Sequence, residues 1–144
     1  MRRVGAVDAQ LVDSLAHLAL FSDLDRTELE ALAAMTGEAV FAEGDWIVRR
    51  GQDDLGLYMI VEGEIGVVFE GEELAVLSHG SFFGEISALL GEPAVADILA
   101  RKSTRCLVVP AADVKDFLLR FPRVMLYMLQ TEARRLKTAD ESRS

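Results

Sequence analysis

The chain opens with apolar residues at three- and four-residue spacing. Leu11, Val12, Leu15, Leu18 and Ala19 share one helical face and predict a short helix over residues 8–19. Asp25, with Glu28 three positions on, reads as the N-cap of a second helix that turns Leu29, Leu32 and Met35 inward and that Gly37 would end. The period then changes to two. Residues 39–41, 46–49, 57–61, 65–69 and 74–77 are short β-favouring runs separated by acidic, glycine-bearing turns, and Trp46, Val48, Tyr58, Ile60, Val67 and Phe69 alternate toward an interior.

A helical turn or two follows at 85–90, between Gly84 and Gly91, and then strands over 94–100 and 104–109, closed by Pro110. Residues 113–120 read as a helix stopped by Phe121-Pro122, residues 123–137 as a last helix, and the polar tail 138–144 as frayed. Helices, a β-unit and helices again predict one α+β domain over residues 1–144: N-terminal helices over 8–37, the β-unit over 38–110 and C-terminal helices over 111–138. There is no fixed-period repeat and no linker.

Composition narrows the function. A chain of 144 residues, 51% hydrophobic, is large enough to build its own core, and the lone Cys106 cannot form an internal disulfide, which fits a reducing, cytoplasmic setting. Asp8 and Asp13 interrupt the apolar run behind Arg2-Arg3, so a secretory leader is not expected, and no apolar stretch approaches membrane-spanning length. The net charge of −9 argues against a nucleic-acid partner. Residues 38–97 hold thirteen Asp or Glu against Arg49 and Arg50, so the β-unit lies in a negative field.

Candidate catalytic chemistry is sparse. His17 and His79 are the two histidines, one in a helix and one in a loop, too few for a cupin-type metal site. Cys106 lies in an apolar strand and reads as a core residue, and the glutamates over 62–73 lack a calcium-loop pattern. These features predict no enzyme, no metal and no cofactor.

The motifs at the turns carry more. Leu20-Phe21-Ser22-Asp23-Leu24, Phe41-Ala42-Glu43-Gly44-Asp45, Leu57-Tyr58-Met59-Ile60-Val61-Glu62-Gly63, Phe83-Gly84-Glu85-Ile86-Ser87-Ala88-Leu89-Leu90 and Arg134-Arg135-Leu136 occur in an order that resembles the cyclic-nucleotide-binding domain family. The resemblance covers nearly the whole chain. It implies an eight-stranded antiparallel β-roll of jelly-roll type flanked by N-terminal helices and two C-terminal helices, with a phosphate-binding cassette over 83–97. It further implies ligand contacts from Phe83, Gly84, Glu85, Ile86, Ser87, Ala94, Val95, Ala96 and Asp97, with Glu85 where the family's ribose-binding glutamate stands. On physical grounds Gly84 would admit an anion to the backbone amides of the helix it precedes.

The cassette departs from the family at its phosphate end. Pro93-Ala94-Val95-Ala96-Asp97 stands where relatives carry an arginine, a serine or a threonine: Ala94 replaces the arginine and Asp97 the threonine. Leaving a buried charge unpaired costs about 2–5 kcal/mol. An ionised Asp97 pointing inward would add up to roughly 4 kcal/mol of repulsion at an effective dielectric near 20. The sequence therefore disfavours tight binding of cyclic AMP or cyclic GMP, with Arg101, Lys102 and Arg105 as the cations left to test.

The resulting expectation is a stand-alone regulatory domain acting on a partner protein, with no DNA-binding domain of its own before Ser144. Val124, Met125, Met128, Leu129 and Leu136 mark the last helix as the dimer or partner element, because the family couples pocket occupancy to that helix. An adaptor domain with no small-molecule ligand is the alternative, and a true cyclic-nucleotide sensor with rewired phosphate contacts is a weaker one.

Overall fold

A computed structural model describes residues 2–3 and 9–142. Nine strands are present among them: β1 (Arg2–Arg3), β2 (Gly37–Phe41), β3 (Trp46–Val48), β4 (Leu57–Glu62), β5 (Glu64–Phe69), β6 (Glu72–Ser78), β7 (Phe82–Phe83), β8 (Asp97–Ala100) and β9 (Thr104–Val109). They form two antiparallel sheets, ordered β1-β2-β9-β4-β7 and β3-β8-β5-β6. Without the two-residue β1, which pairs with the edge of β2, each sheet has four strands. That is the expected eight-stranded roll.

The helices are α1 (Ala9–Ala16), α2 (Arg26–Ala34), α3 (Glu85–Leu90), α4 (Val114–Arg120) and α5 (Pro122–Ser142). Alternation along β4 and β9 explains the layering. Leu57, Met59, Val61, Leu107 and Val109 face a core shared with α1, α2, α4 and α5, whereas Ile60, Cys106 and Val108 face a second core inside the roll with Val48, Ile65, Phe83 and Ile98. These strands are apolar on both faces because the first sheet is covered twice. Burial also pushes the Cys106 thiol up to about 12, as expected of a core residue rather than a nucleophile.

Several local expectations change. The Asp25 capping box forms, with Glu28 N donating to Asp25 Oδ1 at 2.8 Å and Asp25 N to Glu28 Oε1 at 3.2 Å. Gly37 does not end α2, which stops at Ala34 before Gly37 begins β2. The first helix ends at Ala16, and position 8 lies outside the described residues. The strand expected over 94–100 begins only at Asp97, and the tail expected to fray is helical to Ser142.

Trp46 and Phe69 are not core residues. A register shift between Trp46 and Val48 breaks the alternation of β3, so Ile47 and Val48 both turn inward. Trp46 and Phe69 carry Arg49 and Arg50 over their rings at 4.4 and 4.5 Å instead. Pro122 opens α5, where its missing N–H costs nothing.

Asp25→Ala removes the side-chain acceptor of the capping box, and with it the bond from Glu28 N, and is expected to lower stability by about 0.5–2 kcal/mol in urea denaturation, without altering the slope of the transition.

Candidate functional site

A cavity of about 160 Å³ opens at one end of the roll, between the cassette and α5. Eight of the nine residues expected there line it: Phe83, Gly84, Glu85, Ile86, Ser87, Ala94, Val95 and Ala96. The roll adds Val48, Leu55, Val67, Leu77 and Ile98. Asp97 is the exception. It starts β8 facing away from the cavity, accepts from Arg50 N at 2.6 Å and lies 3.5 Å from Arg49 Nε. The repulsion expected from an inward Asp97 is therefore absent.

Local geometry places the cassette. Tyr58 pairs with Phe83 in the β4–β7 register, and their rings stack with centroids 4.8 Å apart at an interplanar angle of 8°. Gly84 follows with φ of 88°, in the left-handed region, and a Cβ there would collide with the carbonyl oxygen of Gly56. Gly84 is thus required by backbone shape and close approach, which its position before α3 alone did not reveal. The Ser87 hydroxyl donates to Pro93 O at 3.3 Å, which holds the end of α3 to the segment leading to Ala94. Ala94 is pinned through its own backbone: its N donates to Gln52 O and its O accepts from Gly51 N, at 2.9 and 2.8 Å.

None of the three cations expected as substitutes lines the cavity. Arg101 pairs with Glu64 at 2.9 Å and with Glu73, Lys102 lies 3.7 Å from Glu64, and Arg105 pairs with Glu38 at 2.8 Å. The lining cation is Arg135, from α5. In the sequence this residue stands in the Arg134-Arg135-Leu136 motif with no ligand role expected of it, although helical spacing from the buried Val124 and Met128 puts it on the same inward stripe.

Arg135 ties α5 to the cassette. Its Nη1 donates to Glu132 Oε1 at 2.9 Å and lies 3.9 Å from Glu85 Oε1, its Nη2 donates to Ser81 Oγ at 3.3 Å, and its guanidinium covers the Phe82 ring at 5.0 Å. Glu85 itself is only 6% exposed, and its Oε2 is sealed without a hydrogen-bond partner. Burial pushes its carboxyl up to about 8 from an ordinary 4.5, a shared hydrogen bond with Glu132 acts in the same direction, and Arg135 opposes both.

Val124 and Met128, expected in a dimer face, are buried against the protein's own helices, whereas Met125, Leu129 and Leu136 are exposed. Leu126, exposed beside them, was missed. His17 and His79, distant in sequence, both line a second cavity of about 340 Å³. Among the described residues no three metal-ligating side chains converge, and no helix is long and apolar enough to cross a membrane.

Comparison with known proteins accounts for the resemblance. The model of the cyclic nucleotide-binding domain matches residues 38–121. The cAMP-dependent protein kinase type II regulatory subunit of Drosophila melanogaster is 28% identical over 95 residues, which cover 66% of this chain and 25% of that protein. The human cyclic nucleotide-gated channel alpha-3 is 36% identical over 80 residues, 54% of this chain and 12% of that protein. The chain thus spans a quarter or less of the length of either. Among solved structures, the Catabolite Activator Protein of Thermus thermophilus superposes with a TM-score of 0.75 at 26% identity, over 85% of this chain and 60% of that one.

The raised Glu85 carboxyl fixes the sign of a pH dependence. Between about 4.5 and about 8 the unfolded chain releases a proton that the folded chain keeps, so this group's contribution to stability falls as pH rises through that window. Glu85→Gln is expected to leave stability near pH 5 almost unchanged and to raise it at pH 8. Urea denaturation across that range checks this, and an equal effect at both ends would contradict it.

Proposed function

The chain belongs to the cyclic nucleotide-binding domain family, and we propose that within it the protein is a regulatory domain that does not hold cyclic AMP or cyclic GMP tightly and that acts on a partner protein. It has the family's regulatory fold. The observation that carries the finer reading is Ala94, buried in the wall of the cavity where the family's arginine would meet the phosphate. Arg135 does not replace that arginine, because Glu132 already accepts from it at 2.9 Å. With Asp97 turned outward the missing arginine acts alone, at about 2–5 kcal/mol, or roughly 30-fold to a few thousand-fold in affinity.

The partner surface is the outer side of α5. Leu126, Leu129, Ala133 and Leu136 follow alternating three- and four-residue steps along it, and the three leucines are exposed. This pattern supports pairing with a second helix, most simply that of a second copy in a homodimer. Because α5 also carries Arg135, a change in the cavity reaches that surface through one rigid element. A buried, reduced Cys106 suits a cytoplasmic protein. Among the described residues no metal-ligating cluster competes with a regulatory role, and we read the protein as a non-enzyme that needs neither a metal nor a resident cofactor.

Calorimetric titration with cyclic AMP and cyclic GMP is expected to give no saturable heat, and dissociation constants of about 1 μM or lower would overturn this reading. In sedimentation equilibrium the protein is expected to dimerise, and the double substitution Leu129→Glu with Leu136→Glu to return it to a monomer. A dimer that survives both changes would place the interface elsewhere.

A further inference from the structure

We propose that the cavity beneath Arg135 takes an uncharged, mostly apolar small molecule that presents one hydrogen-bonding group to the buried carboxyl of Glu85. The inference deepens the reading above and rests on it, since it names what the site binds once the cyclic phosphate is set aside. Three observations carry it.

The walls are aliphatic: Val48, Leu55, Val67, Ile86, Val95 and Ile98 line the space that Ala94 leaves open. Such walls stabilise apolar surface and penalise a charge that brings no partner. The polar groups of the lining are committed or single. The Ser87 hydroxyl proton is spent on Pro93 O, and Arg135 is held by Glu132 and Ser81. That leaves Glu85 Oε2, sealed among these side chains with no hydrogen-bond partner of its own. A buried oxygen in that state costs free energy that a ligand group can recover.

Charge then discriminates among ligands. An anion would have to draw Arg135 from Glu132 while approaching Glu85, and the lining supplies no second cation. A cation would meet the Arg135 guanidinium, which stands 3.9 Å from the same Glu85 carboxyl. A neutral hydroxyl or amide avoids both penalties and completes the hydrogen bonding of Glu85, whose carboxyl stays protonated near neutral pH. The groups facing Glu85 from the packed elements are Glu132 and Arg135 of α5.

The test uses the full chain at pH 6.5 and three probes of one size: benzyl alcohol, benzoate and benzylamine, with cyclic AMP as a fourth arm. Amide shifts in NMR titrations are expected to saturate for benzyl alcohol at Glu85, Ile86, Val95 and Ala96, with binding at least about tenfold tighter than for either charged probe. Val95→Asp puts a carboxylate at the exposed rim and is expected to weaken benzyl alcohol binding several-fold without unfolding the roll. Calorimetry in two buffers of different ionisation enthalpy is expected to find no proton exchanged with the neutral probe. Tighter binding of benzoate or benzylamine, or no saturation by benzyl alcohol at its solubility limit, overturns the inference. Saturation by cyclic AMP at micromolar concentration would instead overturn the functional reading on which it rests.

Discussion

Everything at the open end of the roll depends on how closely two backbones approach at Gly56 and Gly84. Gly84 takes a left-handed conformation with its Cα against the Gly56 carbonyl, and Gly56 in turn leaves no room for a Cβ against the carbonyl of Val109. The turn before β4, the start of α3 and the end of β9 are thereby fixed within one contact. A side chain at Gly84 would push the start of α3 off the turn at Gly56, and one at Gly56 would push that turn off the end of β9. The stack of Tyr58 on Phe83 holds the next residue in the same place from the other side.

From that anchor follows the charge arrangement. Once α3 is seated, the Glu85 carboxyl is directed into an apolar end of the roll, where it would be costly to ionise, and the compensating cation comes from a different element. Arg135 reaches it from the inner stripe of α5, with Glu132 one turn earlier on the same helix. The long helix therefore has two roles on two faces. Its inner face packs Val124 and Met128 into the core shared with the other helices and brings Arg135 to the cavity, and its outer face leaves a row of leucines to solvent. On the proposed reading, coupling between ligand and partner needs no longer path than the width of one helix.

The acidity of the β-unit takes on a different meaning in three dimensions. Read along the chain, an excess of acid ending at Asp97 sets a negative field against any phosphate. In the fold Asp97 accepts from the Arg50 backbone and pairs with Arg49, and Glu64 and Glu73 are met by Arg101. Much of the charge lies on outward faces, where water screens it. The proposed weakness toward an anion rests instead on the lack, among the described residues of the lining, of an uncommitted cation, which depends on Ala94 and on the bond from Arg135 to Glu132.

The sequence by itself determined the elements and their order. Helical spacing at Leu11 to Leu32, the capping box at Asp25, period two through the β-unit and glycines at the turns are local features, and local sterics and burial read them directly. It also determined eight residues of the cavity wall and the absence of the arginine at Ala94, since those follow from motif order. Only the tertiary structure decided where Asp97, Trp46 and Phe69 point: an irregularity between Trp46 and Val48 leaves Trp46 outside, and Asp97 follows the alternation set by the inward Ile98 and Ala100, whose register is fixed by pairing with β5. It likewise decided that Arg135, fifty residues from Glu85, is the cation of the site. A side-chain pairing between a cassette and a distant helix exists only once the apolar stripe of Val124 and Met128 has docked, and docking is a property of the packed core.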